Sequence, residues 1–151
     1  MRYIKRFGEY ELPDEWVETA NKSQKMCIYT HKNNIDKNVK DHISITFGEN
    51  NYSAKEHREF RNSILEKFDS KLRLYDRPKV NAYGEYSKKG LTVYVMKVSE
   101  PSGRRMAQYY IVGDHRFCMA QEINYGGGKS TDKVAKDFVD SFEWKTAVNE
   151  Y

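Results

Sequence analysis

The chain has 151 residues with 38% apolar side chains, and 26 basic residues against 22 acidic ones give a net charge of +4. This length fits one domain with its own core, and the aromatic content of 14% argues against a disordered chain. The charges of both signs are intermixed, which excludes the concentrated basic surface of a duplex-binding protein. We therefore expect a single domain over residues 1–151 that binds no nucleic acid.

The N-terminal residues and the cysteines bear on location. Residues 1–16 contain no apolar segment of the kind found in signal peptides, and no stretch approaches the ~20 apolar residues of a membrane span. Cys27 and Cys118 are too few for a disulfide framework. We expect a cytoplasmic protein without membrane insertion, in which both thiols are free and buried.

Apolar periodicity predicts a β-rich protein. Strands are predicted at residues 3–12, 25–31, 41–47, 80–86, 91–98, 104–112 and 116–125. Side chains should alternate between two faces in strand 25–31, and in strand 41–47 the alternation of Ile43, Ile45 and Phe47 with polar residues predicts one buried face. The last three strands are separated only by tight breaks, so they predict an antiparallel meander from Leu91 to Tyr125, the centre of one sheet. The first meander strand is apolar on both faces and needs cover on both. The polar segments 18–25 and 33–39 are expected to form loops.

Two helices complete the predicted fold. Ser53 and Glu56 have the spacing of a capping box, and an amphipathic helix of about five turns should follow. Its apolar stripe consists of Phe60, Ile64, Leu65, Phe68 and Leu72, extended by His57. A second helix is predicted at residues 132–141, with Thr131 as its N-cap. Its apolar stripe consists of Val134, Ala135, Phe138, Val139 and Phe142. The fold class is therefore α+β, a central antiparallel sheet with a C-terminal meander, flanked by two main helices.

The segment Gly126–Thr131 reads Gly-Gly-Gly-Lys-Ser-Thr and resembles part of a phosphate-binding loop. A complete P-loop needs a further glycine at the position of Ile123, which falls inside a predicted strand. The preceding strand also ends a meander and does not open a βαβ unit. We interpret the segment as a turn before a helix, and a nucleotide-binding enzyme built on it is the less favoured alternative.

The remaining reactive residues form no recognisable catalytic or metal-binding pattern. The four histidines lack the spacing of a helical zinc pair, and no Cys-x-x-Cys occurs. Cys118 lies within a predicted strand, where a thiol is buried and not activated. No nucleophile, base and orienting group occur together in a known motif. The sequence therefore predicts no enzyme, no metal site and no cofactor.

Aromatic and arginine residues point to protein recognition instead. Arg105 and Tyr109 occur close together on one predicted strand, and Trp, Tyr and Arg are the usual anchors of protein interfaces. We predict Trp16, Tyr94, Arg105 and Tyr109 as partner-binding residues.

The order of elements also resembles a known fold family. The segment Phe7–Trp16, with its aromatic-x-Leu-Pro-x-x-Trp pattern, is similar to the opening of PsbP-like α/β/α proteins. That group includes the Ran-binding nuclear import factor, the DcrB-like bacterial proteins and the Eag-type secretion chaperones. The hairpin Tyr109–Ala120 and the closing segment Asp137–Phe142 resemble later landmarks of the family. Glu15 stands where the Eag-type opening usually has glycine, so only the fold is carried over.

The resemblance implies a non-catalytic adaptor that holds another protein. Two roles follow: an immunity protein that neutralises a toxin domain, or a chaperone for a secreted effector. A homodimer is compatible with either role. The alternative is a carrier of a small ligand or lipid in a cavity between sheet and helix. In each binding role, the part of the sheet left open by the helices is the expected interface.

Overall fold

The computed structural model describes residues 1–22, 25–74, 79–88, 90–99, 103–125 and 130–145; the side chains of residues 68–74, 79–88, 98, 99 and 130 are left out of the description. The strands are β1 (Arg2–Ile4), β2 (Gly8–Glu11), β3 (Trp16–Lys22), β4 (Met26–His31), β5 (His42–Glu49), β6 (Lys79–Lys88), β7 (Leu91–Ser99), β8 (Arg105–Val112), β9 (Arg116–Asn124) and β10 (Glu143–Trp144). The α-helices are α1 (His57–Leu74) and α2 (Ser130–Ser141).

Seven strands form one antiparallel sheet in the order β3-β4-β5-β9-β8-β7-β6. The predicted meander is confirmed: β7, β8 and β9 pair in sequence, and β5 pairs along the whole length of β9. A second, three-stranded sheet has the order β1-β2-β10 and joins the first residues of the chain to residues near its other end. The α+β class is therefore confirmed.

The first core lies on one face of the large sheet, under α2 and the small sheet. The apolar stripe predicted for α2 is fully buried there, and it comprises Val134, Ala135, Phe138, Val139 and Phe142. Alternate residues of β4 and β5 point into the same core, namely Cys27, Tyr29, Ile43, Ile45 and Phe47. The alternation expected for these two strands is thus confirmed, because each buries one face.

The second core lies on the opposite face, between α1 and the meander. Phe60 of α1 packs against Tyr94, Met96, Tyr110 and Val112, with partly buried Ile64 and Leu65 beside it. The side chains of Phe68 and Leu72, also expected in this stripe, lie outside the described residues. Strand β7 sends Val93 into the first core and Tyr94 into the second, so both of its faces are covered, as its sequence requires.

The structure differs from the sequence-based expectation in several elements. The predicted strand 3–12 is divided into β1 and β2 by residues 5–7, and β10 was not predicted. Residues 18–25 were expected to form a loop, but residues 16–22 form strand β3. This strand is stabilised by main-chain hydrogen bonds to β4, which polar side chains do not prevent. Helix α2 begins at Ser130, so Thr131 is not its N-cap; Thr131 is buried, and its Oγ1 accepts a hydrogen bond from Asn124 Nδ2 at 3.2 Å.

Candidate functional site

Helix α1 covers only part of its face of the large sheet. Its side chains meet β7, β8 and β9: His57 Nδ1 lies 2.6 Å from the Tyr94 hydroxyl, and the Phe60 ring lies 5.7 Å from Tyr110 and 5.5 Å from Phe117. Among the described residues, the second core includes no side chain from β3, β4 or β5. This leaves three strands on the α1 side of the sheet without a covering helix in the described part of the chain.

The uncovered strands present apolar and hydroxyl side chains. Because Cys27, Tyr29 and the isoleucines of β5 point into the first core, the residues between them point the opposite way. We define the open face as Met26 and Ile28 of β4 with Ser44 and Thr46 of β5, all of which are partly exposed. These four side chains carry no formal charge, and on the same side of the sheet they are flanked by Lys22, the register partner of Met26, and by His42 of β5.

The flank of α1 nearest the open face can be derived from its contacts. Arg61 lies over the Tyr94 ring of β7 at 5.9 Å, whereas Phe60 reaches β8 and β9. The side of the helix that carries Phe60 therefore faces β5. Ser63 and Lys67 follow Phe60 at helical spacing, so they lie on the same side. Gln121 of β9, fixed by a 2.6 Å hydrogen bond from Gln108, separates the covered strands from the open face.

Exposed apolar residues lie at one end of the open face, where β5 begins and β9 ends. Ile35, Val39 and Tyr125 expose 41%, 65% and 41% of their surface. The Tyr125 N–H donates to Asp41 Oδ1 at 2.8 Å, and Lys40 Nζ donates to the Ile35 carbonyl oxygen at 2.6 Å. We call these three exposed residues the apolar end.

The width of the open face suits a particular kind of occupant. Three strands spaced about 4.8 Å apart provide roughly 14 Å across the sheet. An α-helix with its side chains is about 10–12 Å in diameter. One helix therefore fits on β3–β5 beside α1, with Met26 and Ile28 under its apolar side.

The four residues predicted to bind a partner occupy different places. Trp16 and Tyr94 expose only 4% and 2% of their surface, so they belong to the first and second cores respectively. Tyr109 is partly buried against the first core, and Arg105 lies two positions beyond Ala107 on the same face of β8. The structure thus brings Arg105 and Tyr109 onto one strand face but leaves Trp16 and Tyr94 inside. The binding role of the four stays a prediction.

Sequence reasoning missed the open face and the apolar end. The alternation of β4 and β5 was recognised, but it identifies two sides without indicating which one a helix covers. The contact of Tyr125 with Asp41 depends on the pairing of β5 with β9, which joins residues far apart in the chain. The apolar side chains of Met26 and Ile28 opposite the buried Cys27 and Tyr29 were the available indication.

The strongly shifted titratable groups lie away from the open face. Burial raises the pKa of the Cys118 thiol well above its usual value, and burial likewise raises the pKa values of the Tyr10 and Tyr29 hydroxyls in the first core. Neutral thiols and phenols of this kind are poor nucleophiles. Among the described residues, no three His, Cys, Asp or Glu side chains come together as they would around a metal ion.

A groove of about 490 Å³ lies between α2 and the small sheet. Its lining includes the acidic residues Glu11, Asp137, Asp140 and Glu143. Arg2 also lines the groove, and its guanidinium group contacts Glu9 at 3.3 Å, Glu11 at 3.5 Å and Glu143 at 3.2 Å. The lining is too polar for a lipid tail.

No helix in the described part of the chain is long and apolar enough to cross a membrane. No protein-family model matches the sequence, and no curated protein does. Solved structures do match.

Three similar structures cover nearly the whole chain, each at 11% sequence identity. Cyanobacterial PsbP (CyanoP) from Synechocystis sp. PCC 6803 has a TM-score of 0.64, over 96% of this chain and 92% of its own. LpqN, involved in cell envelope biogenesis of Mycobacterium tuberculosis, has a TM-score of 0.65, over 91% and 82%. A structure from Bacteroides thetaiotaomicron VPI-5482 has a TM-score of 0.62. The match covers 96% of this chain and 48% of the other one, so this chain spans about half the length of that protein. At this identity the likeness concerns the fold alone, and the chain has a PsbP-like α+β fold.

Proposed function

We propose that this protein is a non-catalytic binding module that holds an apolar helical segment of another protein on its open face. The observation that carries the proposal is the open face beside α1, whose four defining side chains are uncharged, together with the exposed apolar end near the start of β5. Both specific roles require such a surface: an immunity protein covers part of a toxin domain, and a secretion chaperone covers an apolar segment of an effector. A cytoplasmic location and kinship with the Eag-type chaperones belong to the same proposal.

The chemistry of the open face supports a helix as the ligand. Met26 is unbranched and adapts to differently shaped apolar side chains, while Ile28 offers a rigid apolar contact. The hydroxyl groups of Ser44 and Thr46 accept or donate hydrogen bonds, so polar groups at the helix margin find partners. Apolar contacts surrounded by adaptable polar groups are typical of protein interfaces.

The distribution of reactive groups supports binding over catalysis. The thiols of Cys27 and Cys118 are buried, and the titratable residue on this side of β5 is His42, two positions before Ser44. Within the described residues, the open face itself contains no carboxylate, thiol or imidazole. A general acid or base must reach the reacting group directly, which this face does not allow.

Coexpression with the products of adjacent genes tests the proposal, followed by purification and measurement of the dissociation constant of any complex. We expect Ile28→Lys, which places a charge on the open face, to weaken binding at least tenfold. Tyr125→Ala should weaken it by several-fold, because tyrosine is a common interface anchor. The matched control is Val95→Lys, a partly exposed strand residue on the opposite face, which should leave the affinity unchanged.

Several results would overturn the proposal. One is a partner whose affinity responds to Val95→Lys and not to Ile28→Lys. Another is a tightly retained nucleotide or lipid in native mass spectrometry with no protein partner, which would favour the alternative ligand-binding roles. Self-association that is abolished by Ile28→Lys would instead assign the open face to a second copy of this chain. Each variant is checked by circular dichroism, so that unfolding is not mistaken for lost binding.

A further inference from the structure

A buried and a partly exposed carboxyl group, those of Glu122 and Asp132, lie where the end of β9 packs against the first turn of α2. Glu122 exposes 5% of its surface and lies in register between Ile43 of β5 and Ala107 of β8. The first turn of α2 is held against this end of β9 by the hydrogen bond from Asn124 Nδ2 to Thr131 Oγ1 at 3.2 Å, which places the adjacent Asp132 near Glu122. Glu122 Oε2 is buried and has no hydrogen-bond partner among the described residues. Two carboxylates in such a place repel each other unless one of them carries a proton.

The surroundings of Glu122 decide which charge state is stable. The charged groups around it are Lys97 (β7), Arg105 (β8), Asp132 (α2) and Asp41, which immediately precedes β5. Asp41 accepts the Tyr125 N–H at 2.8 Å. Burial is the largest cause that raises the pKa of Glu122, and the hydrogen bond and charge of Asp132 raise it further, to about 8. The charge of Lys97 and the hydrogen bond from Thr131 lower this pKa by a smaller amount. Glu122 is therefore mostly protonated at neutral pH.

We propose that the proton held by Glu122 and donated to Asp132 is a pH-sensitive latch that fixes the first turn of α2 on the end of β9. Losing this proton leaves two adjacent negative charges with little water to screen them. Opening the turn hydrates both groups and removes the repulsion. The latch lies on the opposite face of the sheet from the open face, so it does not depend on the proposed binding role.

The direction of the effect follows from proton linkage. In the opened turn the pKa of Glu122 returns to its usual value of 4.5, whereas in the closed turn it is about 8. Between these two values the closed form binds more protons, so its stability falls as the pH rises. The opening equilibrium should increase about tenfold for each pH unit in this window and become constant above it.

Amide hydrogen exchange tests the latch at the first-turn residues Thr131–Ala135. Between about pH 5.5 and about pH 7.5, we expect the opening constant of the wild type to rise at least tenfold after correction for intrinsic exchange. Glu122→Gln keeps an N–H donor for Asp132 and has no titrating proton, so its opening constant should change less than about twofold. Asp137→Asn, on the exposed side of the same helix, should retain the wild-type dependence.

A second measurement requires no variant to fold. Carbon-13 NMR of the wild-type Glu122 carboxyl group gives its titration midpoint directly, and we expect a value above about 6.5. A midpoint near 4.5 would overturn the proposal. Equal pH dependence of first-turn exchange in the wild type and in Glu122→Gln would overturn it as well.

Discussion

The ion pair between Lys5 and Glu18 should be a main connection between the two sheets. Lys5 lies between β1 and β2 of the small sheet, and Glu18 lies on β3 of the large one. Their side chains expose 8% and 26% of their surface. The Tyr29 hydroxyl donates to the same Glu18 oxygen at 2.9 Å. Because its proton is used in that bond, the Tyr29 hydroxyl accepts the hydrogen bond from the Tyr10 hydroxyl.

The magnitude follows from this burial. Removing one partner of a fully buried pair costs about 3–5 kcal/mol, because the other charge is left without compensation. The partial exposure of Glu18 reduces the penalty, so we expect Glu18→Gln to lower the free energy of unfolding by about 2–3 kcal/mol. Lys5→Met keeps the apolar stem buried and should cost about 1 kcal/mol. In the double variant, we expect a coupling energy of about 1.5 kcal/mol.

Urea denaturation of the wild type, both single variants and the double variant measures this coupling. The control cycle uses Lys133→Met and Asp137→Asn, a pair at 3.1 Å whose side chains are 72% and 37% exposed. Exposed pairs at this helical spacing contribute about 0.3–0.5 kcal/mol. If the coupling between Lys5 and Glu18 is no larger than that of the control pair, the reasoning from burial is refuted.

The same pair predicts a pH dependence. Burial raises the pKa of Glu18, but the hydrogen bonds from Lys5 and Tyr29 outweigh burial and hold the pKa below its usual 4.5. A lowered pKa stabilises the fold above the unfolded value and loses this effect as the pH falls through the folded one. The stability difference between the wild type and Glu18→Gln should therefore shrink in acid, which denaturation curves below about pH 4 would reveal.

Three further outcomes are expected. Phe138→Ala should lower the free energy of unfolding by about 3–5 kcal/mol in urea denaturation, because the ring is fully buried against Tyr10 at 5.2 Å; a loss below about 1 kcal/mol would contradict this packing. Tyr94→Phe should cost about 1 kcal/mol by removing the hydroxyl 2.6 Å from His57 Nδ1, and an unchanged denaturation midpoint would argue against that bond. Cys118 should react with a thiol reagent only at the rate of unfolding, since it is fully buried; rapid labelling of a Cys27→Ala variant would disprove this.

Local patterns were sufficient to predict the meander and both helices. Tight breaks between three apolar runs leave hairpins as the simplest connection, and the stripe of α2 matches its buried residues one by one. Strand β3 was missed because its side chains are mostly polar. An edge strand is held by main-chain hydrogen bonds to β4, which side-chain hydrophobicity does not report.

The candidate sites depend on contacts between distant parts of the chain. Glu122 appears in the sequence as an ordinary polar residue near the end of a strand, and its burial arises only when α2 returns to place Asp132 beside it. Trp16 and Tyr94 were selected for their chemical type, which favours both interfaces and cores. The choice between core and interface depends on where α1 and the small sheet pack. Residues 126–129 of the loop at Gly126–Thr131 lie outside the described residues.

The small sheet has a consequence for how the chain folds. Strand β10 pairs with β2, and Arg2 Nη2 donates to Glu143 at 3.2 Å across 141 positions of sequence. Closing a loop of that length costs on the order of 4 kcal/mol in chain entropy, which must be offset by contacts already formed. During synthesis, β2 therefore cannot pair with β10 until β10 has left the ribosome. We expect the meander to form early and the small sheet to close last, as the slow step of folding.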